Sequence, residues 1–442
     1  ESEEYEGGAV FDPIVGVKEN VTVLDLKSLY PMCMVTINAS PETKVTADEY
    51  DSREAFEENT YRAPNGTHFR REPDGIIREM VDELLAEREE KKSRRNEHDP
   101  DSAAYEQYDR QQAAVKVIMN SLYGVLGWER FRLYDKEMGA AITATGREVI
   151  EFTQHAAAEL DKEVIYGDTD SVMLELGPDV STEEAIDLSF ELEERINEAY
   201  DEFASEKLNA DEHRFQIEFE KLYRRFFQAG KKKRYAGHIV WKEGKEVDDI
   251  DITGFEYKRS DIAAITKEVQ KRVLEMIVTG EDVDDVKSYL HGVVTDFREG
   301  DYDLDRVGVP GGIGKRLHAY ETDTAQVRGA KYANALLGTN FGRGSKPKRI
   351  YLRKVHPSWF RQMETEEGYD PQRDALYGEF KRDPDVICFE YDDQIPEAFE
   401  VDYDTMLEKT LQGPIERILE ALGVSWEEVK SGQEQKGLDS FM

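Results

Sequence analysis

The sequence predicts an α+β protein built from two or three domains. Runs with the period-two alternation of β-strands occur at 21–26 and 163–176, long helical patterns occupy 76–95 and 103–124, and the region after Ile262 is mostly helical. Of the 442 residues 39% are hydrophobic, so each domain can bury a core of its own.

The charge of the chain is strongly unbalanced, because 95 acidic residues against 58 basic ones give a formal net charge of −37. An ordinary solvated surface is one explanation. Adaptation to molar salt is the one we favour, since a Debye length of about 3 Å screens repulsion between carboxylates. Basic residues form three islands, at 88–95, 221–235 and 343–354, which could follow a phosphate backbone.

Three further observations narrow the class of protein. Cys33 and Cys388 are the only cysteines, which argues against a disulfide scaffold or a cysteine-zinc site and predicts a reducing cytoplasm. No apolar run has the length of a bilayer span and no signal-peptide pattern is present, so we expect no membrane association. The first residue is Glu1, and we therefore expect a longer or processed parent protein.

The first strand is predicted at "VTVLDL", residues 21–26, where Asp25 shares a face with Val21 and Val23. A carboxylate on that face requires a partner. "SLYP" follows, with Pro31 acceptable in the first turn of a helix. A hairpin is then predicted at 61–70 around the Asn65-Gly66 turn.

Two amphipathic helices come next, from Ile76 to about Arg95 and from about Ala103 to Gly124, and the short loop at Asp99-Pro100 makes them an antiparallel pair. Arg88 and Lys92 share one face of the first helix, and Lys116, Asn120 and Tyr123 share one face of the second. Such cations usually face solvent. Three cations between two helical arms also suit a ligand with several negative charges, such as a triphosphate.

A second hairpin, "EVIYGDTDSVMLEL" at 163–176, is predicted to carry Asp168 and Asp170 at its tip. Two like charges at 4 Å repel by about 1 kcal/mol in water and about 4 kcal/mol at an effective dielectric constant of 20. A bound cation would remove that repulsion. Taken alone, an Asp-x-Asp turn is as often a surface loop or a calcium ligand as a catalytic site.

The remaining elements include a long acidic helix from Thr182, a strand-like stretch at 214–227 in which Glu218 and Glu220 alternate, and a late helix at "GPIERILEAL". "GVPGGIGKR" at 308–316 is superficially similar to a phosphate-binding P-loop. Its glycine spacing is wrong and Arg316 stands where Ser or Thr is required, so we predict an ordinary loop.

Three motifs together resemble those of the family B DNA polymerases in their archaeal form. "DLKSLYP" at 25–31 resembles motif A of that family, "KVIMNSLYG" at 116–124 resembles motif B, and "YGDTDS" at 166–171 resembles motif C, in the same order and spacing. "EYEGG" at 4–8 is similar to the segment that joins exonuclease and polymerase domains, and "KKKRY" at 231–235 to the motif that opens the thumb. The resemblance covers nearly the whole chain.

The resemblance implies a right-hand polymerase with an antiparallel palm sheet, helical-hairpin fingers and a mainly α-helical thumb. It implies these boundaries: palm with a linker segment at 1–75, fingers at 76–128, palm again at 129–222, thumb at 223–434 and a sliding-clamp peptide at 435–442. Asp25, Asp168 and Asp170, with the Leu26 carbonyl, would hold two Mg²⁺ ions about 3.5–4 Å apart, with Mn²⁺ as a substitute. Asp25 and Asp170 would be the firmest ligands.

Further residue roles follow from the same resemblance. The incoming dNTP would be held by Arg88, Lys92, Lys116 and Asn120, with Lys116 also protonating the departing pyrophosphate. Tyr123 would pack near the nascent base pair, and Tyr30 would exclude a ribonucleotide's 2′-hydroxyl. Glu218 and Glu220 could add charge near the metals or form a solvated strand face.

Contacts to DNA and to a clamp complete the implied set. Primer-template DNA would be held through its phosphates by the thumb motif, Lys231, Lys232, Lys233, Arg234 and Tyr235. Gln435, Leu438 and Phe441 have the spacing of a sliding-clamp peptide, with Met442 in place of the usual second aromatic residue.

The predicted function is DNA-templated DNA polymerisation in replication or repair, with no proofreading domain because only four residues precede Tyr5. The missing amino-terminal and exonuclease portion would be a possible partner. The alternative is a catalytically dependent or inactive fragment that binds primer-template and the clamp. A metal-dependent nuclease with the same acids is disfavoured by the nucleotide-binding faces of the helical pair.

Overall fold

A computed structural model describes residues 16–26, 28–160, 162–167, 170–230 and 233–432. They divide into two compact units, the first formed by 18–226 and 239–249, the second by 16–17, 227–238 and 250–432. Each unit has its own hydrophobic core. Among the residues described, no helix combines the length and apolarity that a membrane crossing requires.

The first unit opens with short strands and helices and then forms a long helical pair. Its first elements are β1 (Gly16–Leu26), α1 (Leu29–Thr36), β2 (Lys44–Val45), α2 (Arg53–Glu58), β3 (Thr60–Arg62), β4 (His68–Arg70), α3 (Ile76–Asn96) and α4 (Ala103–Leu126). The predicted Asn65-Gly66 hairpin is confirmed, since β3 and β4 pair from Thr60↔Arg70 to Arg62↔His68. The helical pair is confirmed as well, and α4 begins where the Ser102 side chain accepts the Tyr105 amide.

The unit continues with the predicted acidic hairpin and long acidic helix. These elements are α5 (Lys136–Glu159), β5 (Glu163–Gly167), β6 (Ser171–Glu175), α6 (Thr182–Leu208) and parts of β7 (Ile217–Gln228), β8 (Tyr235–Lys242) and β9 (Lys245–Thr253). β5 and β6 pair antiparallel, which confirms the second hairpin. Helix α6 starts at the predicted Thr182, because Ser181 caps its first turn through the Glu184 amide.

One six-stranded sheet places the candidate site, with the strand order β5-β6-β1-β7-β8-β9. β1 and β6 are antiparallel neighbours in the register Val21↔Glu175 to Asp25↔Ser171. The sheet is anchored on one side by long helices, since Ile142, Val149 and Ile150 of α5 and Ile196 and Tyr200 of α6 are fully buried in the same core as Leu24 and Leu174.

The second unit contains more helix than strand. Its elements are α7 (Ala264–Val278), α8 (Val283–Arg298), α9 (Leu304–Val307), β10 (Val309–Pro310), α10 (Ala325–Leu336), β11 (Lys348–Val355), α11 (Pro357–Thr365), α12 (Ala375–Arg382), β12 (Val386–Phe389), β13 (Phe399–Val401), α13 (Tyr403–Leu407), α14 (Gly413–Ala421) and α15 (Trp426–Ser431). The late helix predicted at "GPIERILEAL" is confirmed as α14, and residues 311–316 form the predicted loop.

A four-stranded sheet in this unit was not predicted. β11 lies between β10 and β12, and β13 also pairs with it. The sequence of β11, "KRIYLRKV", contains four basic residues among eight, and these favoured the interpretation as a positive island over that of a strand. Ile350, Leu352 and Val355 are nevertheless buried, so β11 is a half-buried strand with a basic outer face.

Candidate active site

Two of the three predicted acidic residues lie at neighbouring strand ends, Asp25 within β1 and Asp170 directly before β6. Asp25, near the end of β1, is opposite Ser171 at the start of β6, and the Leu26 amide donates to the Asp170 carbonyl over 2.6 Å. Asp25 and Asp170 therefore come from the same end of two neighbouring strands. Asp168 falls outside the described residues.

The carboxylate of Asp25 is largely buried and lies among other negative charges. Its pKa is raised from the ordinary 3.8 to about 7, first by burial and then by the negative charges of Asp170, Glu220 and Glu218, while Lys116 opposes the shift. Only 21% of its side chain is exposed. Glu218 and Glu220 come from β7, the strand on the other side of β1, so three adjacent strands contribute negative charge to one place.

This donor set fits a divalent cation. Carboxylate oxygens are the ligands that Mg²⁺ prefers, and the negative charges around Asp25 raise its pKa even though Lys116 lies nearby. The fit rests on Asp25 and Asp170, and on their shared position at the strand ends.

Lys116 is a cation that the structure brings close to Asp25. Its Nζ lies 3.9 Å from Oδ2 of Asp25, and 35% of its side chain is exposed. Helix α4 aims it there because Val115 and Met119 are buried on one flank of the same helix. Asn120, one turn further on, is exposed.

Arg88 of α3 is the most deeply buried cation of the helical pair, with 8% of the residue exposed. Its Nε donates to Oε1 of Gln112 on α4 over 3.1 Å. Burial lowers its pKa, and the charges of Glu218, Glu89 and Asp25 act against that shift. Arg88 is thus within electrostatic range of the acidic strands, and Lys92 lies half-buried one turn beyond it.

The side chains of the two predicted tyrosines, Tyr30 and Tyr123, stack on each other. The rings of Tyr30 and Tyr123 stack with centroids 4.1 Å apart and planes 11° from parallel. The Tyr123 hydroxyl is 2.5 Å from Oγ1 of Thr143, and a Cβ on Gly146 would lie 3.0 Å from the Tyr30 ring. Helix α5 therefore fixes this pair through a hydroxyl and a glycine that the sequence analysis did not identify.

The spacing along α4 could have identified two more residues. Asp109 and Gln112 continue the predicted stripe of Lys116, Asn120 and Tyr123 backwards at helical intervals. Gln112 contacts Arg88, and Asp109 accepts from both Gln112 and Arg95.

The predicted DNA-binding segment lies in the second unit and is described in part. Lys231 and Lys232 fall outside the described residues, and Lys233 is exposed with φ of 60°. Arg234 has an internal partner: it lies 3.8 Å from Oε1 of Glu256 with 14% of its side chain exposed. Its phosphate contact stays a prediction, as does that of half-buried Tyr235. Gln435, Leu438 and Phe441 also fall outside the described residues.

Comparison with known proteins agrees with the motifs. The family model "DNA polymerase family B" matches residues 1–344. DNA polymerase 2 of Aeropyrum pernix is 36% identical over 69% of this chain and 34% of its own length, and the DNA polymerase of Archaeoglobus fulgidus is 31% identical over 76% and 38%.

A solved structure also resembles the chain over most of its length. The family B DNA polymerase of Pyrobaculum calidifontis superimposes with a TM-score of 0.71 and 28% identity, covering 96% of this chain and 48% of that one. The chain therefore spans between a third and a half of the length of these relatives.

Proposed function

The chain belongs to DNA polymerase family B, and on that premise we propose that it extends a DNA primer by template-directed transfer of nucleotides from dNTPs. The observation that carries the proposal is that Asp25 and Asp170 lie together at the ends of adjacent strands. Nζ of Lys116 lies 3.9 Å from Oδ2 of Asp25 at the same place. A site that combines paired carboxylates with a cation from a helical arm suits a phosphoryl-transfer reaction.

Asp25 and Asp170, with Asp168 and the Leu26 carbonyl, would hold two Mg²⁺ ions, and Mn²⁺ is a possible substitute. When bound, such ions lower the pKa of the primer 3′-hydroxyl and balance the charge of the triphosphate. The support for this assignment is the raised pKa of Asp25 and the charges of Glu218 and Glu220 around it.

The residues of the helical pair would bind the triphosphate. Arg88 and Lys92 of α3 and Lys116 and Asn120 of α4 supply hydrogen-bond donors on facing arms, which matches the many acceptor oxygens of a triphosphate. Lys116 carries a proton close to the site of reaction and would donate it to the departing pyrophosphate.

The stacked tyrosines would shape the sugar and base pocket. Tyr30 cannot turn away easily, because Tyr123 covers one side of its ring and Gly146 leaves so little space that a Cβ there would lie 3.0 Å from the ring. A ring fixed in this way would exclude a 2′-hydroxyl, and Tyr123 would lie next to the new base pair.

We extend the proposal to the partners. Lys231, Lys232 and Lys233, with Arg234 and Tyr235, would hold primer-template DNA, and Gln435, Leu438 and Phe441 would bind a sliding clamp. Each ionic phosphate contact weakens binding with salt at a slope of about −0.9 on a log–log scale, so a clamp would matter most at high salt. A reducing, salt-rich cytoplasm is the proposed location, supported by two buried free cysteines and the charge of −37.

Primer extension tests the proposal. The chain and its Asp170→Ala variant are compared with Mg²⁺, a 5′-overhanging template and a range of KCl concentrations. Template-directed extension that is lost in the variant supports the polymerase. A folded chain that binds primer-template without extending it would contradict the proposal and favour a binding module or dependence on a further polypeptide.

A further inference from the structure

Arg88 is a buried residue whose guanidinium makes a hydrogen bond through Nε and keeps its two terminal nitrogens for a ligand. Its Nε is bonded to Gln112, and both terminal nitrogens make no hydrogen bond or ion pair with any residue in the described part of the chain. A buried guanidinium whose terminal nitrogens have no hydrogen-bond partner among the described residues is costly, even with negative charges at longer range. An anionic group that enters between the arms would relieve that cost.

Gln112 is held in one orientation because both ends of its amide are used. Its Oε1 accepts from Arg88 at 3.1 Å, while its Nε2 donates to Oδ1 of Asp109 at 3.0 Å. Rotating the amide by 180° would set donor against donor and oxygen against oxygen. The contacts themselves therefore select the side of the amide that faces Arg88.

Asp109 is in turn fixed by Arg95. Nη1 of Arg95 donates to the same Oδ1 at 2.7 Å, with 19% of the Arg95 side chain exposed, and the guanidinium lies 5.3 Å from the centre of the Tyr105 ring. These hydrogen bonds keep the pKa of Asp109 below its usual range in spite of partial burial. Arg95, Asp109, Gln112 and Arg88 thus form a continuous chain that crosses twice between α3 and α4.

We infer that Gln112, supported by Asp109 and Arg95, is a positioning residue that aims the terminal nitrogens of Arg88 at the incoming triphosphate. The inference rests on the function proposed above. Gln112 suits this role because it is a neutral acceptor: it fixes the guanidinium through Nε without cancelling the positive charge that attracts phosphate. A carboxylate at this position would fix Arg88 equally well but would neutralise it.

Steady-state kinetics with saturating primer-template tests whether Gln112 positions Arg88 or only supports the structure. Gln112→Met keeps the side-chain volume and removes the acceptor, and we expect the KM for dNTP to rise about tenfold, the size of one charge-assisted hydrogen bond. We expect Gln112→Glu to raise KM further, because it pairs with Arg88. The neighbouring Gln111→Met, on the same helix, is the matched control and should leave KM unchanged.

A double substitution tests whether Gln112 acts through Arg88. If it does, Gln112→Met adds nothing to the KM of Arg88→Ala, since the group that it orients is absent. A purely structural role for Gln112 predicts additive effects, a lower fraction of active enzyme, and a fall in kcat with KM unchanged.

The outcomes separate this inference from the proposed function. If the unsubstituted chain does not extend primers, the proposed function fails. If it extends them while Gln112→Met and Gln112→Glu keep the original KM, or if Gln112→Met worsens Arg88→Ala, the polymerase proposal stands and the role of Gln112 is refuted.

Discussion

Two groups of carboxylates within the described residues differ in how the protein supports them. The strand cluster, which we define as Asp25, Asp170, Glu218 and Glu220, comes from three adjacent strands of the first unit. The helix-end cluster, Asp296, Glu299 and Asp301, lies at the end of α8 in the second unit, with carboxylate oxygens within 4.8 Å of one another and all three residues exposed.

Proximity of carboxylates is therefore a poor sign of a site, and the energy of holding them together is a better one. Water screens the charges of the helix-end cluster, so gathering them costs little. In the strand cluster, burial and neighbouring charges raise the pKa of Asp25 to about 7, so the folded protein pays in stability for keeping it ionised. A loss of folding stability of this kind is expected at a functional site.

The largest expected difference between the clusters is in catalysis. Asp25→Asn and Asp170→Asn should each lower primer extension by about 10³-fold or more, because several kcal/mol of metal-dependent stabilisation depend on each carboxylate. Asp296→Asn and Asp301→Asn should extend primers like the unsubstituted chain. Single-turnover rates at saturating Mg²⁺ measure this, and equal losses in both clusters would remove the distinction.

Lys116 provides the next largest effect, since its Nζ lies 3.9 Å from Asp25 of the strand cluster. Lys116→Ala should slow nucleotide addition by about 10²-fold, the usual contribution of a positioned proton donor. Lys91→Ala, which removes a lysine from the facing arm outside the predicted contacts, should change the rate little. If both variants add nucleotides equally slowly, the total charge on the arms determines the rate, and the position of Lys116 does not.

Much of the strand cluster was predictable from sequence because β-strands have a fixed period. Placing Asp25 on one face of "VTVLDL" and the Asp-x-Asp turn at a hairpin tip required only alternation and turn residues, and the register of β1 with β6 brings Asp25 and Asp170 together as expected.

The supporting residues were harder to predict, because their roles depend on contacts between elements distant in sequence. Through the packing of α5, Thr143 contacts Tyr123, which is 20 residues away, and Gly146 lies against Tyr30, which is more than a hundred residues away. The β11 strand was missed for a related reason: four of its eight residues are basic, and the burial of its apolar residues depends on helices that precede and follow it.

In the absence of metal, removing a charge from the strand cluster should stabilise the folded protein, although the same change should abolish catalysis. Since the folded-state pKa of Asp25 is raised above its ordinary 3.8, its contribution to stability is complete below about pH 4 and is lost as the pH rises through about 7. Asp25→Asn should therefore be more stable than the unsubstituted chain at pH 8 in chelator, by of the order of 2–4 kcal/mol. Its advantage should shrink towards pH 4.

Thermal unfolding of the first unit in chelator measures this difference, and Mg²⁺ should stabilise the unsubstituted chain more than Asp25→Asn. Asp296→Asn is the control, and its unfolding temperature should change little at either pH, as for most exposed side chains. An Asp25→Asn variant that is less stable than the unsubstituted chain at pH 8 would mean that the carboxylate is compensated within the protein.

The smallest expected effect concerns Glu218 and Glu220, which add charge to the strand cluster from β7. Glu218→Gln and Glu220→Gln should each raise the Mg²⁺ concentration for half-maximal extension by about two- to fivefold, since a partly exposed charge contributes about 0.5–1 kcal/mol to a neighbouring ion. The maximal rate at saturating Mg²⁺ should hardly change. Glu299→Gln removes an equivalent charge from the helix-end cluster and should leave the Mg²⁺ dependence where it was. A Mg²⁺ dependence unchanged in all three variants would reduce the strand cluster to its aspartates and make Glu218 and Glu220 a solvated strand face.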